Sequence, residues 1–330
     1  MKLKAQFKHY KRFFHKPLKI AYGTLSFREG IIIKLEDEDS RYGFGEIAPL
    51  FFGTEAFPEA YQFCQTIGAS LTERQISSIP DKLPCCQYGF QSAYDSIVTK
   101  KTEFTKNPIA TVGLSTCNPA SIIPLISKGF QYIKIKIGVN SPTQEMRLLQ
   151  SIFEITPRSI QFRLDANEGL SIEITKKWLT FLDRFPNIDF LEQPLPTGQE
   201  KEMAHIAKNF NTPLALDESV ISFPNLDKLK WNGFIVIKPS FLGNLHTFLK
   251  WRHATHHKLI YSPAFETDFG LSHLISLALS DSKNNYGLSL GTIDYFAQDG
   301  YHQYPLQPYI TPPFHTPATL DHLWQSLPQA

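Results

Sequence analysis

The chain has 330 residues, 42% hydrophobic and 19% charged, enough for one large packed domain with a smaller one beside it. Its 33 basic and 31 acidic residues nearly cancel, so no global field favours nucleic acid or a membrane surface. It carries neither an apolar run long enough to span a bilayer nor the core of a signal peptide, which points to a cytoplasmic protein without a membrane partner.

The opening MKLKAQFKHYKRFFHKPLKI is basic. Leu3, Ala5 and Phe7 nevertheless alternate with Lys2, Lys4 and Lys8, the pattern of a strand with one solvated face rather than of a nucleic-acid arm. GIIIKLEDED and RYGFGEIAPL read as neighbouring strands joined by the turn-prone EDEDSR. EAFPEAYQFCQTIGASL and QYGFQSAYDSIVTKK read as helices, which makes 1–105 an α+β region. Cys64, Cys85, Cys86 and Cys117 form no C-x-x-C pair and are expected to be reduced, structural thiols.

From residue 109 the rhythm changes. Strand-like segments at 109–115, 132–138, 159–165, 189–194, 213–219, 233–239, 259–265 and 286–292 alternate with helix-like stretches such as 141–155 and 243–257. Eight strands with seven intervening helices predict an α/β fold, a modified TIM barrel over 106–292, with 293–330 as an irregular C-terminal strap packing back on cap and barrel. His246, His253, His256 and His257 fall on a helix of the outer shell, away from the catalytic rim.

Three successive strands end in a carboxylate: Asp165 in RLDAN, Glu192 in LEQP and Asp217 in ALDES. A lone Asp at a strand end commonly caps the next helix, but three on adjacent strands repel one another unless a cation lies between them. All-oxygen ligation suits Mg²⁺, with Mn²⁺ a possible substitute, and Asp165, Glu192 and Asp217 as ligands. Glu218, next along, is expected on the opposite face as a supporting group.

In YIKIKIG, Ile133, Ile135 and Ile137 alternate with Lys134 and Lys136. Both faces of a parallel barrel strand are covered, so isoleucines facing the helices turn the lysines into the barrel. There the two ammoniums would depress each other's pKa and leave one amine as a base near neutral pH. GFIVIKPS adds Lys238, on the strand across the mouth from Lys136.

In order and spacing, YGFGEIAPL, KIK, LDAN, LEQP, LDES, IKP and LGT together resemble the enolase superfamily in its muconate-lactonizing-enzyme branch. The resemblance implies an α+β cap closing over a barrel and a small-molecule carboxylate substrate. Within the branch, FFGTEAF, LPCCQYGFQSAYDSI, FRLDAN and SLGTID are similar to the dehydratases of menaquinone biosynthesis. By that resemblance Lys136 removes the proton α to the substrate carboxylate, Lys134 and Mg²⁺ hold the enediolate, and Lys238 faces the other side of the ring. It also makes Arg163, Asn167, Ser262 and the Gly291–Thr292 backbone substrate contacts. A racemase or epimerase of N-acylamino acids or dipeptides would use the same lysines on opposite faces. Gly291-Thr292-Ile293-Asp294, where dipeptide epimerases carry Asp-x-Asp, argues against an amine-bearing substrate. A silent barrel used for binding would be expected to have lost one of these six polar groups.

Overall fold

The computed structural model describes residues 1–20, 23–50, 54–99, 108–223, 226–284, 286–296, 299–302, 305–311 and 314–327. The FFG of FFGTEAF (51–53), two residues of the KIAYGTLSF loop (21–22) and the expected boundary near 105 lie outside the described residues.

The chain opens with an antiparallel pair, β1 (Lys2–Ile20) and β2 (Gly23–Glu36), in which Phe7 faces Ile33. The strands β3 (Tyr42–Ile47) and β4 (Ser70–Thr72) flank it, in the order β3-β2-β1-β4. Leu3 and Ala5 are buried under α1 (Phe57–Ile67), α2 (Glu73–Ser77) and α3 (Pro84–Val98), so the basic stretch is a half-solvated strand. The helix α3 lies directly on β3: a Cβ at Gly45 would collide with the Gly89 carbonyl oxygen. All four cysteines are buried and unpaired.

The barrel follows. A short β5 (Ile109–Ala110) precedes β6 (Val112–Thr116), α4 (Pro119–Ser127), β7 (Tyr132–Lys136), α5 (Pro142–Ile155), β8 (Gln161–Asp165) and α6 (Ile172–Leu182). Then come β9 (Ile188–Glu192), α7 (Glu200–Ala207), β10 (Leu214–Leu216), α8 (Glu218–Ile221), β11 (Phe234–Ile237), α9 (Leu245–Ala254), β12 (Lys258–Tyr261) and α10 (Asp268–Ser280). The strands β6 to β12 pair in parallel, in sequence order. Leu288 closes the ring: its carbonyl accepts from Val112 N at 2.8 Å, while Ser289 N donates to Tyr261 O at 2.9 Å. With that segment as the eighth stave, β7 and β11 stand on opposite sides of the mouth.

Three expected elements differ. The last strand, expected over 286–292, is reduced to a bridge at Leu288, and Gly291–Tyr295 turns into a 3₁₀ helix. The first is split, because Thr111 N bonds Pro308 O and the two residues before it pair with β13 (Tyr309–Ile310). The tail is not wholly irregular: Thr316 caps α11 (Pro317–Ser326), whose Leu323 and Trp324 pack with Phe44 and Phe269. Among the described residues no helix is long and apolar enough to cross a membrane.

Cap and barrel are joined by buried polar contacts. The Glu46 carboxylate on β3 accepts from Tyr10 Oη at 2.6 Å, Thr267 Oγ1 at 2.5 Å, Thr267 N at 3.0 Å and Gly270 N at 2.9 Å. It thus sits on the first turn of α10, where free N–H groups and the helix dipole favour an anion.

Candidate active site

Ile133 and Ile135 on β7, with Ile137 just past its end, join the apolar layer under the helices, so Lys134 and Lys136 point into the barrel. Lys134 Nζ lies 2.6 Å from Glu192 Oε1 and 2.8 Å from Asp165 Oδ2. Lys238, just past the end of β11, bonds Asp217 Oδ1. Lys136 makes no ion pair or hydrogen bond among the described residues, and it lines the cavity.

Asp165, Glu192 and Asp217 end consecutive staves and are all buried, which sets the electrostatics. Burial and then Asp165 push Glu192 well above the usual carboxylate range. Burial also acts on Asp165, but Lys134 and Lys136 outweigh it and hold that carboxyl low. The expected mutual depression of the lysines does not hold for Lys134. Burial would lower it, yet Asp165, Glu192 and Asp217 raise it well above an ordinary lysine, so it is a fixed cation. Lys238 is raised likewise, burial being overcome by Asp217 and Glu218.

A cavity of about 370 Å³ opens at this end of the barrel. Lys134, Lys136, Asp165, Asp217, Glu218 and Lys238 form its polar floor, and Leu50, Ile137, Ile221, Phe241, Phe265 and Tyr295 its apolar walls. Asn167, Ser262, Gly291 and Thr292 also line it. Gly291 is needed for closure, since a Cβ there would come within 2.5 Å of Leu114 Cβ.

Two expected placements are corrected. Arg163 is not among the lining residues: it is wholly buried inside the barrel, bonded to Asp189 at 2.8 Å and to the Tyr286 carbonyl. Its guanidinium lies 4.5 Å and 5.1 Å from the ring centroids of Tyr132 and Phe190, so it packs the layer beneath the site. Glu218 does not face away. The strand β10 ends at Leu216 and a helix begins at Glu218, so two-residue alternation no longer applies and the carboxyl enters the cavity. There Oε1 accepts from Asn167 Nδ2 at 3.1 Å, and burial followed by Asp217 and Asp165 pushes the acid up to about 8. The apolar walls were not legible as a group in the sequence, because Leu50 comes from the cap while Ile137, Ile221, Phe241, Phe265 and Tyr295 come from separate segments after it.

Residues 124–314 match the family described as Enolase C-terminal domain-like, and residues 4–97 match the MenC N-terminal domain. The chain belongs to the enolase superfamily. It is an enzyme. The o-succinylbenzoate synthase of Thermosynechococcus vestitus is 33% identical over 79% of this chain and 84% of its own. The N-succinyl-L-Arg/Lys racemase of Bacillus cereus is 25% identical over 72% of each. The crystal structure of o-succinylbenzoate synthase from Thermosynechococcus elongatus, complexed with Mg in the active site, superposes with a TM-score of 0.82 and 26% identity, covering 98% of this chain and 100% of that one.

For an enolase-superfamily site, the donor set meets a divalent cation in part. Among the described residues no three such side chains converge on one point: Lys134 bridges two of the carboxylates and Lys238 takes the third. Yet all three donors are hard carboxylate oxygens at neighbouring strand ends, and burial, followed by the charges of Asp165 and Asp217, pushes Glu192 toward protonation. A cation among them relieves that repulsion, so the donor chemistry fits Mg²⁺.

Proposed function

We propose that this enzyme is an o-succinylbenzoate synthase, dehydrating a succinyl-hydroxycyclohexadiene-carboxylate in menaquinone biosynthesis, with Mg²⁺ held by Asp165, Glu192 and Asp217. The reading rests above all on one observation: Lys136 and Lys238 reach the same cavity from opposite staves, with Asp165 and Asp217 in its floor. The relatives named above support the choice of reaction.

Lys136, which makes no ion pair or hydrogen bond among the described residues, is the base that takes the proton α to the substrate carboxylate. It then returns that proton to the departing hydroxide on the same face. Lys134 is a preorganised cation where negative charge develops on the carboxylate oxygens, usually the largest single contribution to such catalysis. Mg²⁺ supplies Lewis-acid stabilisation of the same developing charge. Lys238, kept charged by Asp217 and Glu218, faces the other side of the ring as a cation. The apolar walls exclude water from the anion. The ammoniums Lys134 and Lys238 offset two of the three ligand carboxylates and a divalent cation would more than offset the third, so with Lys136 as the neutral base the cavity is left positive toward a dicarboxylate.

A second reading, racemisation of N-succinylamino acids, is favoured by the same pair of lysines and by the racemase relative. The test is synthesis of o-succinylbenzoate from its cyclohexadiene precursor, run beside deuterium exchange into N-succinylamino acids. Product formation is expected. No product, with rapid exchange in both amino-acid enantiomers, replaces the first reading by the second.

A further inference from the structure

The Arg28 guanidinium, on β2 of the cap, is 2% exposed and forms no ion pair among the described residues. The two ends of its fork go to backbone carbonyls instead: NH1 to Pro49 and, at 3.4 Å, to Glu29, and NH2 to Ala48 and, at 3.3 Å, to Ala264. The carbonyls of Ala48, Pro49 and Ala264 belong to two segments that wall the cavity. Ala48 and Pro49 lead into Leu50, and Ala264 lies within 262–265, four consecutive residues of the lining.

The second segment is one that needs holding. Phe265, directly after Ala264, has φ 66°, a left-handed conformation that a residue with a Cβ keeps only where its surroundings impose it. Ala264 N is fixed from the other side by the Glu266 carboxylate, which also accepts from Ser240 Oγ at 2.6 Å. A planar fork that bonds carbonyls from cap and barrel together does what a single ammonium or a neutral side chain does not.

We infer that Arg28 is a positioning residue of the active site: it locks the cap segment entering Leu50 onto the turn that carries Phe265, and so sets the shape of the substrate cavity without touching substrate. The inference takes the cavity to be the active site proposed above, and it does not depend on which substrate is turned over.

The experiment compares Arg28→Lys and Arg28→Met with the full-length wild type. Arg28→Met is expected to raise KM about tenfold while kcat changes less than about threefold, because the barrel lysines keep their own supports. Arg28→Lys retains the charge but not the fork and is expected to fall between the two. Hydrogen exchange read by mass spectrometry needs no substrate. Amides of Ala48, Leu50 and 264–266 should exchange about tenfold faster in either variant, with β1 and α3 unchanged. If wild type turns over no cyclohexadiene precursor, the proposed reaction fails while the exchange result still decides the role of Arg28. If Arg28→Met does not fold, Arg28→Lys carries both readouts. A lowered melting temperature with KM, kcat and local exchange unchanged makes Arg28 merely structural and overturns the inference.

Discussion

Lys134 and Glu192 are 58 residues apart in sequence, yet their side chains meet at 2.6 Å across the strand that carries Asp165. The ammonium therefore pairs with two of the carboxylates assigned to the metal, and this coupling can be measured. Lys134→Met should lower kcat by roughly a thousandfold, the scale of losing one preorganised charge stabiliser. In metal-free buffer the variant should also melt below wild type, with Mg²⁺ raising its melting temperature more than that of wild type. An equal Mg²⁺ response in both proteins would show that the lysine and the cation do not share these carboxylates.

Removing divalent cations with EDTA should abolish turnover, and added Mg²⁺ should restore it. Asp217→Asn should weaken calorimetric Mg²⁺ binding by at least about tenfold, since a charged oxygen ligand is replaced by a neutral one. Full activity in rigorously metal-free buffer would refute the assignment of Asp165, Glu192 and Asp217.

The two cavity lysines should behave differently. Lys136→Ala should lose essentially all turnover. Lys238→Ala should be severely impaired, but Lys238→Arg should recover part of the activity, because only charge is needed on that face and Arg is a bulkier, planar substitute. A two-base racemase predicts otherwise: Lys238→Arg would abolish proton exchange.

The junction of cap and barrel should depend on Glu46, whose carboxylate accepts from Tyr10, Thr267 and Gly270. Glu46→Ala leaves these buried donors without their acceptor and should cost on the order of 3 kcal/mol in urea unfolding. A loss below about 1 kcal/mol would mean that water or a neighbour takes over the contacts.

The α10 carboxylate Asp268 lies 2.8 Å from His302 Nδ1 and 2.9 Å from His315 Nε2. Burial favours its neutral form, but these hydrogen bonds outweigh burial and hold it at about 2. Because the folded value lies below the unfolded one, near 3.9, the group stabilises the fold above about pH 4 and ceases to as pH falls toward 2. Wild type should therefore exceed Asp268→Asn by roughly 2 kcal/mol at pH 6, with the gap closing between about pH 4 and 2. A gap that does not change with pH would show that the carboxylate's charge contributes nothing.

The sequence by itself determined the barrel, because alternation and strand–helix spacing are local. In the same way the isoleucines of β7 settle where Lys134 and Lys136 point, and the ends of β8 and β9 deliver Asp165 and Glu192. Only the tertiary structure decided what local period does not encode. Glu218 turned inward because the strand had already ended, and Arg163 was drawn below the rim by Asp189 and two aromatic rings. The first stave was shortened where the distant tail supplies its hydrogen bonds, and the last where Gly291–Tyr295 turns into a 3₁₀ helix. The joining of cap to barrel through Arg28 and Glu46 brings together groups more than two hundred residues apart, and no sequence period reaches across such a distance.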